Sequence, residues 1–150
     1  MRALIQRAKR ASVSVEGELI AHIDRGLLVL LGVARTDTKE DARRLAKKCW
    51  ELRVFPAEGT ASERANMDRP VSEVGGSVLV VSQFTLYADT SRGRRPSFAE
   101  AAPTRQAEAL YLLFCKALED LGAAVATGRF GAMMDVEVVN EGPVTILLES

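Results

Sequence analysis

The feature that most constrains the fold is a continuous apolar run at residues 27–33, Leu-Leu-Val-Leu-Leu-Gly-Val. A run this short, with β-branched members, predicts a strand that is buried on both faces of a sheet. A second apolar strand is predicted over residues 77–81, and it ends in the stretch Ser82-Gln83-Phe84-Thr85-Leu86. The chain has 150 residues, which suits one domain over residues 1–150 with a core of its own.

Further strands are indicated by looser alternation of apolar and polar residues. They are predicted at residues 2–8, 12–23, 123–127, 134–139 and 144–148. Glu16-Gly17-Glu18 is typical of a hairpin turn within the second of these segments. Residues 56–76 are rich in Gly, Pro, Ser, Glu and Asn and predict a long loop, which in a compact domain is often functional.

Two amphipathic helices are predicted. The first follows Asp37 and Glu40, which have the spacing of a capping box. Its apolar face combines Ala42, Leu45, Ala46, Cys49 and Trp50. The second has Pro103 in its first turn, carries an apolar stripe over residues 107–121 and stops at Gly122. The predicted class is α+β: a single domain of mostly antiparallel β-sheets that form a barrel-like core, with two main helices.

The charges balance, with 20 Lys+Arg against 20 Asp+Glu. Bulk charge therefore argues against a protein that coats nucleic acid or a polybasic membrane protein, while a local basic patch stays compatible. Cys49 and Cys115 have neither CxxC spacing nor a secreted disulfide framework, so we expect buried, reduced thiols. Because neither a signal peptide nor a bilayer-spanning run is visible, we expect a cytoplasmic protein with no membrane partner.

Common catalytic motifs are missing from the sequence. It contains no P-loop, no HExxH, no clustered Cys and His, and no GxSxG elbow. We therefore expect no metal and no cofactor. The one histidine, His22, alternates with Ile23 on a predicted strand, which places it on the solvent face or a rim. A conventional hydrolase with a nucleophile and a side-chain base is poorly supported.

Two stretches combine residue types that occur both in loops and in ligand sites. The strand end at residues 82–86 is either a polar entry into a loop or a site whose backbone N–H groups face a developing oxyanion. Residue types leave these two interpretations even. Asn140-Glu141-Gly142-Pro143-Val144-Thr145 has the composition of a hairpin turn, and composition alone favours that interpretation.

A third stretch is basic. Arg92, Arg94 and Arg95 surround Gly93 and predict either a solvated loop or a phosphate contact, since guanidinium forks match phosphate oxygens. The N-terminal residues Arg7, Lys9 and Arg10 could join this cluster. Neither cluster is specific by itself.

Together, these stretches resemble the bacterial and eukaryotic D-aminoacyl-tRNA deacylase family. The matching segments occur in order and span essentially the whole chain. They are ALIQR at 3–7, GGSVLVVSQFTL at 75–86, RPSF at 95–98, TGRF at 127–130 and NEGPVT at 140–145. Any one would be weak, but SQFTL and NxGPxT at this spacing and chain length are strong.

The resemblance implies an enzyme that hydrolyses the ester bond of D-aminoacyl-tRNA, and of glycyl-tRNA mischarged on tRNA-Ala. It implies a homodimer in which the Gly142-Pro143 element of one subunit, with a cis peptide bond, enters the active site of the other. That element would grip the α-amino group of the substrate and exclude an L side chain. Arg7 would hold the element in place, and the supporting residues would be Ser82, Asn140 and Thr145.

The resemblance also implies that the 2′-hydroxyl of the terminal adenosine of the tRNA assists the attack. Oxyanion donors would come from the backbone at Phe84 and Thr85 and from the side chain of Gln83. Phe130 and Met134, or Met133, would lie near that adenosine. The implied partners are aminoacyl-tRNA and a second copy of the chain, and no DNA.

Two alternatives stay open. In one, Thr85 is the nucleophile, although the sequence offers no residue well suited to deprotonate it. In the other, the chain is a non-catalytic tRNA-binding or editing-associated module on the same fold.

Overall fold

The computed structural model describes residues 1–57 and 67–150. The strands are β1 (Arg2–Val15), β2 (Glu18–Ile23), β3 (Gly26–Gly32), β4 (Arg53–Phe55), β5 (Arg69–Pro70), β6 (Ser77–Ser82), β7 (Val125–Thr127) and β8 (Asp135–Glu149). The helices are α1 (Lys39–Glu51) and α2 (Thr104–Asp120), and short 3-10 helices cover Val71–Val74 and Phe84–Tyr87. Within these ranges, no helix is long and apolar enough to cross a membrane.

One mixed sheet organises the fold. Its order is β2-β1-β3-β6-β7, and β8 pairs with β1 outside this path. β1 is antiparallel to β2, β3 and β8, whereas β6 is parallel to both β3 and β7. β2 also contacts β6 and β7, which nearly closes the sheet into a barrel. The predicted α+β class, with its mostly antiparallel barrel-like core and two main helices, is confirmed.

The apolar runs at β3 and β6 are explained by two cores on opposite faces of the sheet. Leu27, Val29 and Leu31 belong to the larger core, which packs against α1 and α2. Leu28 faces the other way, with Leu79 and Val81 of β6, into a smaller core inside the barrel. Burying each such side chain stabilises the fold by roughly 1.5–3 kcal/mol, so both faces of these strands must be apolar.

Helix α1 begins one residue later than predicted. Its N-cap is Thr38, whose Oγ1 accepts a hydrogen bond from the Asp41 amide at 3.2 Å, while Asp41 Oδ2 accepts from the Thr38 amide at 2.9 Å. The predicted pairing of Asp37 with Glu40 is wrong because the Asp37 carboxylate is used elsewhere. It accepts from the N-terminal ammonium and from the Ala34 amide, each at 2.6 Å. The predicted face is buried at Ala42, Leu45, Ala46 and Cys49, and half-buried at Trp50.

Helix α2 also differs from its prediction at the ends. Pro103 is the N-cap rather than a residue of the first turn. The apolar stripe is buried at Leu110, Phe114 and Leu118, whereas Leu121 at the end is 41% exposed. Tyr111 lies in the same stripe and donates its hydroxyl to the Val80 carbonyl at 2.9 Å, which ties α2 to β6.

The predicted turn at residues 140–145 is wrong. β8 runs without reversal alongside β1, from Ser14 opposite Asp135 to Arg2 opposite Glu149. Gln6 pairs with Thr145 and Ala8 with Asn140, so residues 141–144 of β8 all lie opposite Arg7. The segment is therefore a bulge in a long strand. Similarly, β1 continues through residues 9–11, where a break was predicted. The middle of the predicted 56–76 loop, residues 58–66, lies outside the described residues.

Candidate active site

A cleft of about 760 Å³ opens where the parallel strands end. β3, β6 and β7 run in one direction, so their carboxyl ends lie at the same edge of the sheet. This edge is where ligands bind in sheets with parallel strands. The walls are residues 81–85 at the end of β6 and just after it, residues 101–104 and Ala107 leading into α2, and residues 130–134 before β8, with Arg35, Phe98 and Val136.

The polar end of the cleft is built from the strand end at residues 82–85. The Gln83 amide donates to the Leu31 carbonyl at 2.8 Å, which fixes the residue to β3. Its side-chain Nε2 donates to Thr85 Oγ1. A 3-10 helix starts at Phe84, and the first N–H groups of a helix have no acceptor within it. The amides of Phe84 and Thr85 therefore have no acceptor within the helix, and both residues line the cleft.

The apolar part of the cleft is aromatic. Phe84 is 53% exposed and meets Phe98 edge to face, with ring centroids 4.9 Å apart. Phe130 packs on Tyr111 of α2 at 5.7 Å. Met134 is half-buried in the wall, whereas Met133 is 92% exposed at the rim. Sequence reasoning gave Phe98 no role, although the run RPSF that contains it was noted; an aromatic residue beside an arginine cluster was the available signal.

The cleft has few ionisable groups. Among the described residues that line it, Arg35 alone carries a charged side chain, and no carboxylate, imidazole, thiol or amine is present. His22 is exposed on β2 and lines a different groove with Arg10 and Glu137, which confirms its predicted place on the solvent face. Burial raises the pKa of the Cys49 and Cys115 thiols to about 12, so both stay protonated at neutral pH. Among the described residues that line the cleft with Thr85, none is a side-chain base.

The bulge at residues 141–144 is the second group of predicted site residues. Gly142 and Pro143 are exposed, and the peptide bond between them is cis, the geometry that the resemblance implies. Asn140 brackets the bulge: its Nδ2 donates to Thr145 Oγ1 at 2.8 Å, and its Oδ1 accepts from the Val144 amide at 3.1 Å. The side chains of Asn140 and Thr145 thus hold the two ends of the excursion together.

Arg7 lies beneath the bulge and fastens it to the body of the protein. Its Nε–H donates to the Glu141 carbonyl at 3.2 Å, and the guanidinium also donates to the Val54 carbonyl. Glu141 Oε2 lies 3.3 Å from Arg7 Nε but accepts no hydrogen bond, so charge alone holds it. Gly142 has φ +121°, and an added Cβ would lie 3.1 Å from the Arg7 guanidinium. A side chain at 142 would therefore be both strained and crowded.

The predicted site residues thus form two groups. Ser82, Gln83, Phe84, Thr85, Phe130 and Met134 share the cleft, whereas Arg7, Asn140, Gly142, Pro143 and Thr145 share the bulge. Val136 lines the cleft and Pro143 follows it seven positions later on β8, a separation of about 20 Å at the usual rise of a strand. Within one chain, the bulge does not line the cleft.

The fold and the cleft define an α+β barrel protein whose site offers backbone donors and an aromatic wall. A family model described as D-Tyr-tRNA(Tyr) deacylase matches residues 4–149. A D-aminoacyl-tRNA deacylase of Halalkalibacterium halodurans is 53% identical over 150 residues, 100% of this chain and 99% of that protein. One of Listeria innocua is 54% identical, over 100% and 97%. The chain therefore belongs to the D-aminoacyl-tRNA deacylase family and is an enzyme of that class, a hydrolase.

Two solved structures share the fold. One, described as a c-Myc DNA unwinding element binding protein, superposes with a TM-score of 0.92 at 41% identity and covers 100% of this chain and 99% of its own. The other, described as a probable eukaryotic D-amino acid tRNA deacylase, gives a TM-score of 0.81 at 18% identity, over 99% and 98%. At that lower identity, the second likeness concerns the fold alone.

Proposed function

We propose that the chain hydrolyses the ester bond between a D-amino acid and the terminal adenosine of tRNA, releasing the free amino acid and tRNA. Glycine carried on tRNA-Ala is a second substrate, because glycine has no side chain to exclude. The observation that carries the proposal is a cleft with paired backbone donors and an aromatic wall in a chain of this family. Aminoacyl-tRNA as the partner and a cytoplasmic location follow from the same assignment.

The chemistry depends on position and on backbone donors. Water attacks the ester carbonyl carbon, and negative charge develops on the carbonyl oxygen. The bond from that carbon to the ribose 3′-oxygen then breaks, and a proton from the water ends on the 3′-oxygen as a hydroxyl. The amides of Phe84 and Thr85, together with the Gln83 side chain, stabilise that oxygen. Since the described lining of the cleft holds no side-chain base, the 2′-hydroxyl of the substrate's own ribose assists the attack.

The aromatic wall is the proposed seat of the terminal adenosine. Phe84 exposes about half of its surface beside Phe98, and Phe130 and Met134 also line the cleft. Stacking of a base on an aromatic ring contributes about 1–3 kcal/mol and tolerates any base. The start of α2, at Pro103 and Thr104, also faces the cleft, and its positive dipole end favours the anionic nucleotide.

The bulge is the proposed chirality filter, and it acts in a homodimer. Gly142 and Pro143, each with a main-chain carbonyl, are exposed at the tip of the bulge, which Asn140 and Arg7 hold in place. Such carbonyls accept hydrogen bonds from an α-ammonium group and leave no space for an L side chain, so the wrong enantiomer is excluded by shape. Because the tip lies away from the cleft of its own chain, a second subunit must deliver it.

Subunit mixing tests the delivery in trans. Gln83→Ala removes an oxyanion donor from the cleft. Pro143→Ala impairs the filter that holds the α-ammonium group of the substrate. Each variant alone should therefore be defective in D-tyrosyl-tRNA deacylation. If the filter acts across the interface, mixed dimers contain one site with an intact cleft and an intact filter, so mixing two defective variants restores D-tyrosyl-tRNA deacylation. If each cleft uses its own filter, mixing restores nothing. Each variant mixed with itself is the control.

The source of the assistance is tested by two matched changes. Thr85→Ala on the enzyme and a 2′-deoxy terminal adenosine on the RNA each remove one hydroxyl. We expect the deoxy substrate to react far more slowly, by about 10²-fold or more as for loss of a general base, and Thr85→Ala to retain most of its activity. The opposite pattern would establish Thr85 as the nucleophile.

The alternative of a non-catalytic tRNA-binding module predicts tRNA binding without release of any D-amino acid. We propose further that DNA is not a partner, and an acceptor-stem DNA duplex provides the comparison. Binding of that DNA as tightly as tRNA in the same buffer would contradict the proposal.

A further inference from the structure

The arginine loop, residues 90–96, lies between two segments that contribute to the cleft wall. It leaves the 3-10 helix Phe84–Tyr87 on one side and returns to Phe98 on the other, so both of its stems join the cleft wall. Asp89 and Ser97 pair at its base, with N···O distances of 2.8 and 2.9 Å. The loop is therefore a pinned projection that carries Arg92, Arg94 and Arg95, all exposed.

The loop arginines differ from several basic residues of the helices, which are paired with acids. On α1, Arg44 meets Asp41 at 2.6 Å and Lys47 meets Glu51 at 3.8 Å; on α2, Lys116 meets Asp120 at 2.9 Å. Among the described residues, none of the three loop arginines forms a salt bridge. Asp89, the acid at the base of the loop, accepts instead from the Ser91 amide at 2.9 Å.

The surroundings extend this positive surface. Arg105 in the first turn of α2 and Arg129 beside Phe130 are exposed and also form no salt bridge within the described ranges. Arg35 lines the cleft, and its Nε donates to the Ala99 carbonyl at 2.6 Å. Glu100 is the exposed acid between Phe98 and α2. The rim thus carries a local excess of arginine in a chain whose total charge is zero.

We propose that the arginine loop binds phosphate groups of the acceptor strand of tRNA, immediately next to the terminal nucleotide in the cleft. The inference rests on the proposed function, which places that nucleotide against Phe84 and Phe98. The acceptor strand of the tRNA then continues past the arginine loop. There, guanidinium groups without acidic partners donate bidentate hydrogen bonds to its phosphates. The contact positions the RNA strand without recognising its base sequence.

The test compares two charge-matched variants on two substrates. The loop variant is Arg92→Gln/Arg94→Gln/Arg95→Gln, and the control, Arg43→Gln/Arg44→Gln/Lys47→Gln on α1, removes the same net charge. The substrates are D-tyrosyl-tRNA and 3′-O-D-tyrosyl-adenosine, which has no phosphate. KM and kcat are measured over a series of salt concentrations, and unfolding in urea verifies that each variant is folded.

We expect the loop variant to raise KM for D-tyrosyl-tRNA and to leave kcat unchanged. Both KM and kcat for 3′-O-D-tyrosyl-adenosine should stay at the wild-type values. The affinity of the loop variant for the tRNA should also depend less on salt. Three phosphate contacts, at a slope of about 0.7–0.9 each, correspond to about 20- to 40-fold between about 50 and 200 mM salt, and the variant should lack this term. The α1 variant should keep the wild-type slope.

Two outcomes are distinguishable. A loop variant with the wild-type KM and salt slope on tRNA, or an α1 variant with the same loss, would overturn the phosphate contact and leave the deacylase intact. If the wild-type protein hydrolyses neither D-tyrosyl-tRNA nor 3′-O-D-tyrosyl-adenosine, the proposed function itself is overturned, and the phosphate contact with it.

Discussion

Replacing Arg7 with methionine removes the fastening of the bulge while keeping an apolar stem of similar length. The change deletes the hydrogen bonds to the Glu141 and Val54 carbonyls. It also removes the positive charge beside Glu141 Oε2, which is a buried atom that accepts no hydrogen bond. The Arg7 side chain is 11% exposed and that of Glu141 29%, so solvent offsets only part of the loss.

The expected loss of unfolding free energy is about 3 kcal/mol. Hydrogen bonds that involve a charged group contribute about 1.5–3 kcal/mol each, and a buried charge that loses its partner costs more than the pair was worth. Adding Glu141→Gln to Arg7→Met removes the unpaired charge and should recover about 1–2 kcal/mol, whereas Glu141→Gln alone should destabilise the protein. That coupling is specific to a charge held by Arg7.

Unfolding in urea at pH 7, followed by circular dichroism, measures all four species of this cycle. Arg44→Met is the control, because Arg44 pairs with Asp41 on the surface and should cost at most about 1 kcal/mol. D-tyrosyl-tRNA deacylation by Arg7→Met should fall further than the folded fraction does, since the filter loses its support. If Arg7→Met costs no more than Arg44→Met, or if Glu141→Gln restores nothing, the fastening described above is wrong.

Three other predictions concern the packing, the thiols and the histidine. Gly26→Ala should fail to fold or lose at least about 3 kcal/mol in urea unfolding, because an added Cβ would lie 1.9 Å from the Ser77 carbonyl oxygen between β3 and β6. Burial raises the pKa of Cys49 and Cys115 to about 12, and the unfolded thiols ionise near pH 8.5, so the folded state binds more protons between these values. Stability should therefore fall as the pH rises from about 9 towards 12, and Cys49→Ala/Cys115→Ala should flatten that slope in urea titrations at several pH values. His22→Gln should keep kcat/KM within about two-fold from pH 6 to 8, since His22 is exposed outside the cleft; a loss of about 10²-fold, as for removal of a general base, would assign it a catalytic role.

Much of the fold was predictable because burial requires a local pattern of apolar residues that is visible in the sequence. The runs at residues 27–33 and 77–81 are apolar on both faces since Leu27 and Leu28 enter different cores. The faces of both helices followed from spacing for the same reason. The strand end at residues 82–85 was singled out because ligands often bind where a strand ends in a loop, although its residue types supported a polar loop entry equally well.

Other features depend on residues far away in the chain, so the local sequence pattern does not indicate them. Asp37 and Thr38 both have an acidic residue three positions later, and the N-terminal ammonium decided between them by binding Asp37. Residues 140–145 have turn composition, yet pairing with β1 keeps the chain extended on both sides of a bulge. The role of Glu141 within that bulge became visible only with Arg7 beside it.

We propose that this chain removes D-amino acids from tRNA and rejects the L form. The decisive measurement is single-turnover release of tyrosine from D-tyrosyl-tRNA and from L-tyrosyl-tRNA, with enzyme in excess. We expect rapid release from the D substrate and a rate for the L substrate no faster than spontaneous hydrolysis. Rapid release from L-tyrosyl-tRNA, or none from D-tyrosyl-tRNA, would contradict it.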